Sequence, residues 1–150
     1  MIFLRKATEE DCDLIYKWAN DIEVRQNAFN SNFIPYDEHC RWYKSSLNSI
    51  NRIIYIATDG NREVGQIRLD KEENKSIISY SVDKIYRGRG YGKVLIKLIK
   101  EEALKNDIIV LEGLVKKDNI PSQRAFISNK FIEYKEDKYF RYVFFLKEGW

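Results

Sequence analysis

The sequence is poor in the residues that hold metal ions or build disulfide frameworks. It contains two cysteines, Cys12 and Cys40, and a single histidine, His39. The spacing of the cysteines matches no metal-binding motif, and two cysteines do not make a disulfide framework. We therefore expect both cysteines to be reduced and partly buried, and we expect no metal site.

Long apolar runs and a strong net charge are also missing. No apolar run approaches the roughly 20 residues that a membrane-spanning helix needs, and residues 1–6 lack the architecture of a signal peptide. The formal net charge is +3, which is too small to indicate a nucleic-acid partner. We therefore expect a cytoplasmic protein with neither a membrane nor a nucleic-acid partner.

The residues that are present indicate one folded domain over residues 1–150. Hydrophobic residues make up 44% of the chain and charged residues 33%, a balance typical of folded proteins rather than disordered ones. A length of 150 residues suits a single hydrophobic core.

The periodicity of apolar residues predicts a mixed fold of helices and strands in the order β-α-α-β-β-β-α-β-α-β-β. Residues 51–58, 64–69 and 77–82 form a predicted antiparallel meander, in which Asp59-Gly60-Asn61 makes the first hairpin turn. The next strand starts at Ile108, after a helix that can serve as a parallel crossover. The expected fold class is therefore α/β, with a mixed sheet of the α+β kind.

The most informative stretch is a strand-to-helix turn at residues 82–92, where three of five consecutive residues are glycine. Glycine allows positive φ, so several backbone N–H groups can converge on one anion at the positive end of the helix dipole. Arg87 and Arg89 add charged donors. The spacing fits neither a Rossmann fingerprint nor a Walker loop, and a plain tight turn would explain the glycines equally well. The residues predicted to bind a pyrophosphate are Arg87, Gly88, Arg89, Gly90, Tyr91 and Gly92.

This turn resembles the acetyl-CoA-binding motif of the GCN5-related N-acetyltransferases, the GNAT family. The matching residues are Val82, Arg87, Gly88, Gly90 and Gly92. The resemblance implies that the loop backbone holds the pyrophosphate of acetyl-CoA. It also implies that the strand ending at Val82 binds the pantetheine arm.

A second stretch, and the order of the elements over nearly the whole chain, are similar to the same family. Asn119-x-x-Ser122 followed by Ala125 and Phe131 resembles the family's second cofactor motif. The resemblance implies cofactor contacts from Asn119, Ser122 and Phe126. It also implies direct transfer of an acetyl group from acetyl-CoA to a primary amine, without an acyl-enzyme.

Two residues that many family members use for proton transfer are replaced. Phe126 stands where a tyrosine commonly protonates the departing thiolate, and Ile77 stands where a glutamate is often the base. The departing thiolate could instead be protonated by Tyr134, Tyr139 or a water molecule, or it could leave without a donor. The candidates for the second role are His39, Glu38, Tyr80, Asp70 and Glu112. The catalytic candidates are His39, whose usual pKa suits a base, Tyr80 and Tyr134, although a lone histidine and a strand tyrosine are often only packing residues.

The acceptor is expected to meet a loop after the first helices, in which amide and aromatic side chains alternate. A plain surface loop is the other interpretation. A finer resemblance, to the acetyltransferases of the pseudaminic-acid pathway, is carried by single residues at Trp18-Ala19-Asn20-Asp21, Val24-Arg25, Phe29-Asn30, Glu38-His39 and Trp42. It implies that the acceptor is a UDP-linked 4-amino-dideoxy sugar and that Arg25 or Arg41 binds its diphosphate. The predicted acceptor residues are Arg25, Asn27, Phe29, Asn30, His39 and Trp42.

Other functions stay open at this point. The acceptor could be a protein N-terminus, a polyamine or another small amine. Phe126 and Ile77 would also suit a CoA-binding module without catalysis. The aromatic stretch at residues 139–146 could form a dimer face, so we expect a monomer or a homodimer.

Overall fold

The computed structural model describes residues 1–146, which form a seven-stranded sheet flanked by five α-helices. The strand order is β1-β2-β3-β4-β5-β7-β6. The strands are β1 (Ile2–Lys6), β2 (Arg52–Asp59), β3 (Arg62–Glu72), β4 (Lys75–Val82), β5 (Val110–Lys116), β6 (Ile132–Lys135) and β7 (Tyr139–Phe145). The helices are α1 (Cys12–Ala19), α2 (Ile22–Asn27), α3 (Tyr36–Leu47), α4 (Tyr91–Lys105) and α5 (Ile120–Ser128), with 3-10 turns at Glu9–Asp11 and Lys84–Tyr86. The predicted fold class is confirmed, whereas the predicted order has two helices between the first two strands and the structure has three, α1, α2 and α3.

The sheet is antiparallel except at its centre. Strands β1 to β4 pair antiparallel in chain order, and the first hairpin turns at Gly60, which has φ +63°. Strand β5 pairs with β4 in parallel, and that pairing covers only residues 75–78 and 110–113. Beyond this point β4 runs on to Val82 and β5 to Lys116 without pairing to each other, so the two strands leave a gap in the middle of the sheet.

The two faces of the sheet bury separate groups of helices. Because strand side chains alternate between the faces, Tyr55 and Ala57 pack with α4 and α5, whereas Ile54 and Ile56 pack with α1 and α3. Within α4, Leu95, Ile96 and Ile99 are fully buried, at the spacing of one helix face. The gap therefore opens towards α4 and α5 on one side and towards α1, α2 and α3 on the other.

Helix α5 begins at residues that favour a helix start. The Asn119 side chain caps the helix by accepting a hydrogen bond of 3.4 Å from the Ser122 backbone N–H, and Pro121 lies in the first turn. In the part of the chain that the structure describes, no helix is long and apolar enough to cross a membrane.

Candidate active site

Near the end of β4, the backbone groups of alternate residues point away from β3 and into the gap. The Asp83 N–H donates to the Val64 carbonyl at 2.8 Å, and the antiparallel register continues from there along β4. Hydrogen-bonding residues alternate in such a ladder, so the N–H and C=O groups of Tyr80 and Val82 point towards the gap. An extended ligand could add to this edge as a strand does, which fits the pantetheine arm expected beside Val82.

The glycine loop has the backbone conformation that an anion cradle needs. Gly88 has φ +77° and Gly90 has φ +81°, a region that residues with a Cβ rarely enter. Gly90 is also the N-cap of the 15-residue helix α4, whose first N–H groups have no partner within the helix. A Cβ at Gly88 or Gly90 would meet nothing within 4 Å, so the cradle is open on its outer side.

The third glycine also makes room for a neighbouring side chain. A Cβ on Gly92 would lie 3.3 Å from the Tyr80 ring, so Gly92 makes room for that ring at the start of α4. The side chain of Tyr91 also turns away from the loop, because its hydroxyl donates to Asp59 at 2.9 Å. Only the backbone of Tyr91 and Gly92 is therefore available to a ligand at the loop.

The two arginines of the loop are in unlike surroundings. Arg87 donates to Asp21 at 2.7 Å, to Glu23 at 2.7 Å and through Nε to the Val82 carbonyl at 3.1 Å. Its guanidinium, predicted to bind the pyrophosphate, is thus already occupied by two carboxylates. Arg89 is exposed, and its guanidinium lies 5.6 Å from the centre of the Tyr86 ring.

Residues 21–30, which we call the strap, connect the ends of the two strands that border the gap. Asp21 binds Arg87 in the loop after β4, and the Gln26 carbonyl accepts a 2.9 Å hydrogen bond from Lys116 at the end of β5. Phe29 packs edge-on against Tyr139 of β7, with ring centres 5.7 Å apart. The strap therefore crosses the gap on the side that carries α1 and α3.

One continuous cleft of about 1570 Å³ joins the glycine loop to the strap and to α3. It brings together most of the residues that the sequence analysis selected for the cofactor and the acceptor. The predicted residues that line it are Arg25, Asn27, Phe29, Asn30, His39, Trp42, Tyr80, Val82, Arg87, Gly88, Gly90, Tyr91, Gly92, Asn119, Ser122 and Phe126. The predicted or candidate residues that are not among those lining it are Arg41, Asp70, Arg89, Glu112, Tyr134 and Tyr139.

Tyr80 and Ser122 form a hydrogen-bonded pair in this cleft. The Tyr80 hydroxyl donates to Ser122 Oγ at 2.9 Å, and the ring lies against Phe126. Burial raises the pKa of the Tyr80 phenol, and the hydrogen bond with Ser122 lowers it only in part. At neutral pH the phenol therefore keeps its proton, which makes Tyr80 suitable as a proton donor and unsuitable as a base.

Phe126 belongs to the core beneath the cleft. Its side chain is 1% exposed, and its ring stacks on Tyr142 at 5.2 Å. A Cβ on Gly113 would come within 2.3 Å of the Phe126 ring, so a glycine in β5 is what admits this ring. Its predicted contact with the cofactor is thus restricted to the ring edge that reaches the cleft wall.

His39 is poorly placed for a general base. It is 2% exposed, and its Nε2 lies 2.8 Å from the Cys12 carbonyl, to which it donates. The ring also stacks on Tyr43 at 5.8 Å. Because one ring nitrogen is bound to the Cys12 carbonyl and the ring packs against Tyr16 of α1 as well as Tyr43 of α3, His39 holds α3 against α1.

Tyr134 lies outside the cleft. It belongs to β6 at the edge of the sheet, where the Arg141 guanidinium covers its ring at 4.5 Å. Two strands, β5 and β7, separate β6 from β4. Tyr134 therefore cannot donate a proton at the β4 edge of the gap, and this placement corrects the sequence-based assignment.

Among the predicted carboxylate bases, only Glu38 is free of ion pairs within residues 1–146. Asp70 pairs with Arg52 and with Arg68, and buried Glu112 pairs with Lys75 and Arg141. Both carboxylates are therefore already bound to cationic side chains. Glu38 is exposed and borders the cleft.

Sequence reasoning missed the polar floor of the acceptor side. The Arg68 guanidinium lies 5.2 Å from the centre of the Trp42 ring, and Gln66 donates to the Ser81 hydroxyl at 3.1 Å. Gln66 and Arg68 both line the cleft. Their positions, two residues apart in a predicted strand, place both side chains on one face, and this alternation was the available signal.

Asn20 was also missed as a residue that shapes the site. Its side-chain amide donates to the Ile34 carbonyl at 2.9 Å and accepts from the Ile34 N–H at 2.8 Å. This double contact fixes the segment between the strap and α3. The single-residue pattern around Trp18 to Asp21 contained Asn20, but nothing local to it indicated its partner.

Asp83 anchors the start of the glycine loop, and its loss should destabilise the fold. The buried carboxylate accepts from Trp18 Nε1 at 2.8 Å and from the Ile85 N–H at 2.9 Å. Although burial raises the pKa of Asp83, these hydrogen bonds lower it overall. We expect Asp83→Ala to cost about 2–3 kcal/mol in the free energy of unfolding at pH 7, because the Trp18 N–H is left buried without a partner.

The pH dependence of this destabilisation follows from the lowered pKa of Asp83. A lowered pKa in the folded state stabilises the protein at pH values above the unfolded pKa of about 4, and this stabilisation is lost as the pH falls through the folded pKa. In urea unfolding, the free energies of unfolding of wild type and Asp83→Ala should therefore differ less at pH 3 than at pH 7. Asp137→Ala, at an exposed position, is the control; an equal difference at both pH values would contradict the assignment.

A mixed sheet with a central gap, a glycine loop at the head of a helix, and a second capped helix define an acyl-CoA-binding fold of the acetyltransferase kind. The family model for the acetyltransferase (GNAT) domain matches residues 2–132. The chain therefore belongs to the GNAT family, as the glycine loop predicted, and is an acetyl-CoA-dependent N-acetyltransferase.

Solved structures share this fold at low sequence identity. Spermidine N-acetyltransferase from Vibrio cholerae, in complex with CoA and spermine, has a TM-score of 0.88 at 14% identity, covering 97% of this chain and 95% of that chain. A Salmonella typhimurium protein with its cofactor acetyl-CoA has a TM-score of 0.81 at 16% identity, covering 99% of this chain and 95% of that chain. An aminoglycoside acetyltransferase in complex with coenzyme A has a TM-score of 0.80 at 17% identity, covering 97% of this chain and 95% of that chain.

Proposed function

We propose that the protein transfers the acetyl group of acetyl-CoA directly to the primary amine of a small molecule. The observation that supports this most strongly is the single cleft that runs from the glycine loop, through the gap in the sheet, to the strap and α3. Neither Cys12 nor Cys40 is among the residues that line this cleft. A cysteine acyl-enzyme therefore has no place in the proposed reaction.

The residues of the cleft fit acetyl-CoA in three places. The backbone N–H groups at Gly88, Gly90 and the start of α4 would hold the pyrophosphate, with Arg89 as the nearby exposed charge. The Tyr80 backbone and the Val82 N–H would hold the pantetheine arm, since the Val82 carbonyl already accepts from Arg87. Asn119 and Ser122 would lie near its end. When bound, acetyl-CoA supplies an activated acetyl thioester.

Two side chains of the cleft fit the proton transfers. The Tyr80 hydroxyl, bound to Ser122 at 2.9 Å, holds a proton that can be given to the leaving sulfur, a role that Phe126 cannot fill. An amine acceptor enters largely as an ammonium ion and must lose a proton before it can attack. The free carboxylate of Glu38 can attract that ammonium ion and accept its proton through water.

The candidate acceptor with the most support from the residues is a UDP-linked 4-amino-dideoxy sugar. Its hydroxyl groups would suit Asn27 and Asn30, and its flat groups would suit Phe29 and Trp42, all of which line the cleft. Arg41 is exposed and is not among the lining residues, so of the two arginines considered for the diphosphate Arg25 is the better placed.

A polyamine is the second candidate, because a structurally similar Vibrio cholerae enzyme is a spermidine N-acetyltransferase. The acceptor side of this cleft has one unpaired cation, Arg25, and one unpaired carboxylate, Glu38, within residues 1–146, while Arg68 is paired with Asp70. It therefore lacks the excess of acidic side chains that would attract a polycation. The charges of the cleft thus favour an acceptor other than a polyamine.

Thiol release from acetyl-CoA tests the proposed function. Purified protein would be assayed with UDP-4-amino sugars, amine-ended peptides and spermidine, and acetyl-CoA binding would be measured separately by calorimetry. Release that depends on one amine class is the expected result. Binding of acetyl-CoA without release on any amine would instead support a CoA-binding module without catalysis.

A further inference from the structure

Arg25 differs from every other half-buried arginine in residues 1–146. Arg52, Arg68, Arg87 and Arg141 are each half-buried, and each forms an ion pair with at least one carboxylate. Arg25 is equally half-buried, yet no carboxylate in residues 1–146 pairs with it. A guanidinium withdrawn from water without an opposite charge is costly, so its position needs an explanation.

The contacts that Arg25 makes within the protein do not balance its charge. Its Nη1 donates to the Asn30 carbonyl at 3.1 Å and to the Asn32 carbonyl at 3.2 Å. Carbonyl groups accept hydrogen bonds but carry no net charge. Its Nε is fully buried and has no hydrogen-bond partner, although nearly all buried polar groups in proteins have one.

The unused part of the guanidinium suits an oxyanion. The outer nitrogen Nη2 has no hydrogen-bond partner in residues 1–146 and, unlike Nε, is not fully buried, and a guanidinium N–H binds a carboxylate or a phosphate through a charge-assisted hydrogen bond. Arg25 lines the acceptor end of the cleft, near Asn27 and Asn30 of the strap. Its surroundings include Glu23, which is already bound to Arg87 at 2.7 Å and so is not available to Arg25.

We propose that Arg25 binds an anionic group, a phosphate or a carboxylate, that the acceptor carries in addition to its amine. This inference rests on the proposed function and narrows it, because it makes the acceptor an amine and an anion at once. The free carboxylate of Glu38 on α3 and the free charge of Arg25 on α2 would then receive the two opposite charges of one molecule. The competing explanation is that Arg25 only braces the backbone at Asn30 and Asn32.

Anion binding to protein saturated with CoA separates these explanations without measuring turnover. CoA would occupy the glycine loop, so that an added anion has to bind elsewhere. Calorimetric titrations would use UDP, inorganic pyrophosphate and citrate, which distinguish a nucleotide, a free phosphate group and a carboxylate as the source of charge. We expect saturable binding of at least one of these probes, weakened about tenfold or more in Arg25→Gln.

Two variants control for the bracing role. Arg25→Lys keeps the positive charge and a donor for the carbonyls, so it should lose less affinity for the anion than Arg25→Gln. Arg62→Gln changes an exposed arginine at the start of β3, away from the cleft, and should leave anion binding to the CoA complex unchanged. Thermal unfolding of each variant shows whether the fold is retained.

Two results would overturn the inference. One is the absence of saturable binding by all three anions in the millimolar range; the other is binding that Arg25→Gln does not weaken. Either result would leave thiol release with neutral amines intact. Failure of the proposed function would instead appear as bound acetyl-CoA with no thiol release on any amine, whatever residue occupies position 25.

Discussion

Replacing Tyr80 with phenylalanine is expected to lower kcat for acetyl transfer by about 10²-fold or more, the contribution typical of a positioned proton donor. The change removes only the hydroxyl group, which donates to Ser122 at 2.9 Å in the cleft. The ring packs against Phe126 and Gly92, and phenylalanine preserves that packing. Affinity for acetyl-CoA should stay within a few-fold, because Tyr80 is proposed to hold the pantetheine arm through its backbone.

The measurement combines thiol release under saturating substrates with calorimetry of acetyl-CoA binding. Tyr134→Phe is the matched control, since it removes the same hydroxyl at the far edge of the sheet and should leave kcat unchanged. Because the pKa of Tyr80 is raised, the loss of activity that follows its ionisation in the wild type should lie above pH about 10. An unchanged kcat in Tyr80→Phe would mean that the sulfur leaves as a thiolate without help from this residue.

Replacing Arg87 with alanine is expected to raise the KM for the acceptor amine at least tenfold while changing acetyl-CoA affinity by a few-fold at most. Arg87 joins the glycine loop to the strap through Asp21 and Glu23, each at 2.7 Å. The strap carries Arg25, one of the predicted acceptor residues. Without Arg87, the partly buried Asp21 and the exposed Glu23 lose their partner, and the wall of the acceptor side loses its attachment to β4.

The resemblance to the family motif leads to the opposite expectation, so the experiment decides between two roles. If the Arg87 side chain binds the pyrophosphate, Arg87→Ala should weaken acetyl-CoA binding about tenfold and leave the acceptor KM alone. Asp21→Asn tests the ion pair from the other side. The double variant should then show less than the sum of the two single effects, because both changes break one contact.

Several features of this protein could be predicted from its sequence because the forces that produce them are local. The apolar periodicities predicted the order of strands and helices except for one of the three helices between β1 and β2, and the turn at Gly60 followed from residue preferences over a few positions. Gly88 and Gly90 indicated a loop that needs positive φ, and both residues have it. Asn119 is of a residue type that favours the N-cap position, and it caps α5.

What the sequence by itself determined, then, was the fold class, the glycine loop and the family. The tertiary structure decided which charges and hydroxyl groups are free to act. Arg87 and Asp21 are 66 residues apart in the chain, and Tyr80 and Ser122 are 42 apart, so no local pattern could announce either pair. The same holds for His39, whose Nε2 is bound to a carbonyl 27 residues away.

Arg25 is informative for the reverse reason: only the packed chain shows that no carboxylate in residues 1–146 reaches its half-buried charge. Partners of this kind depend on long-range packing, since burial and distance fix the energy of a charge.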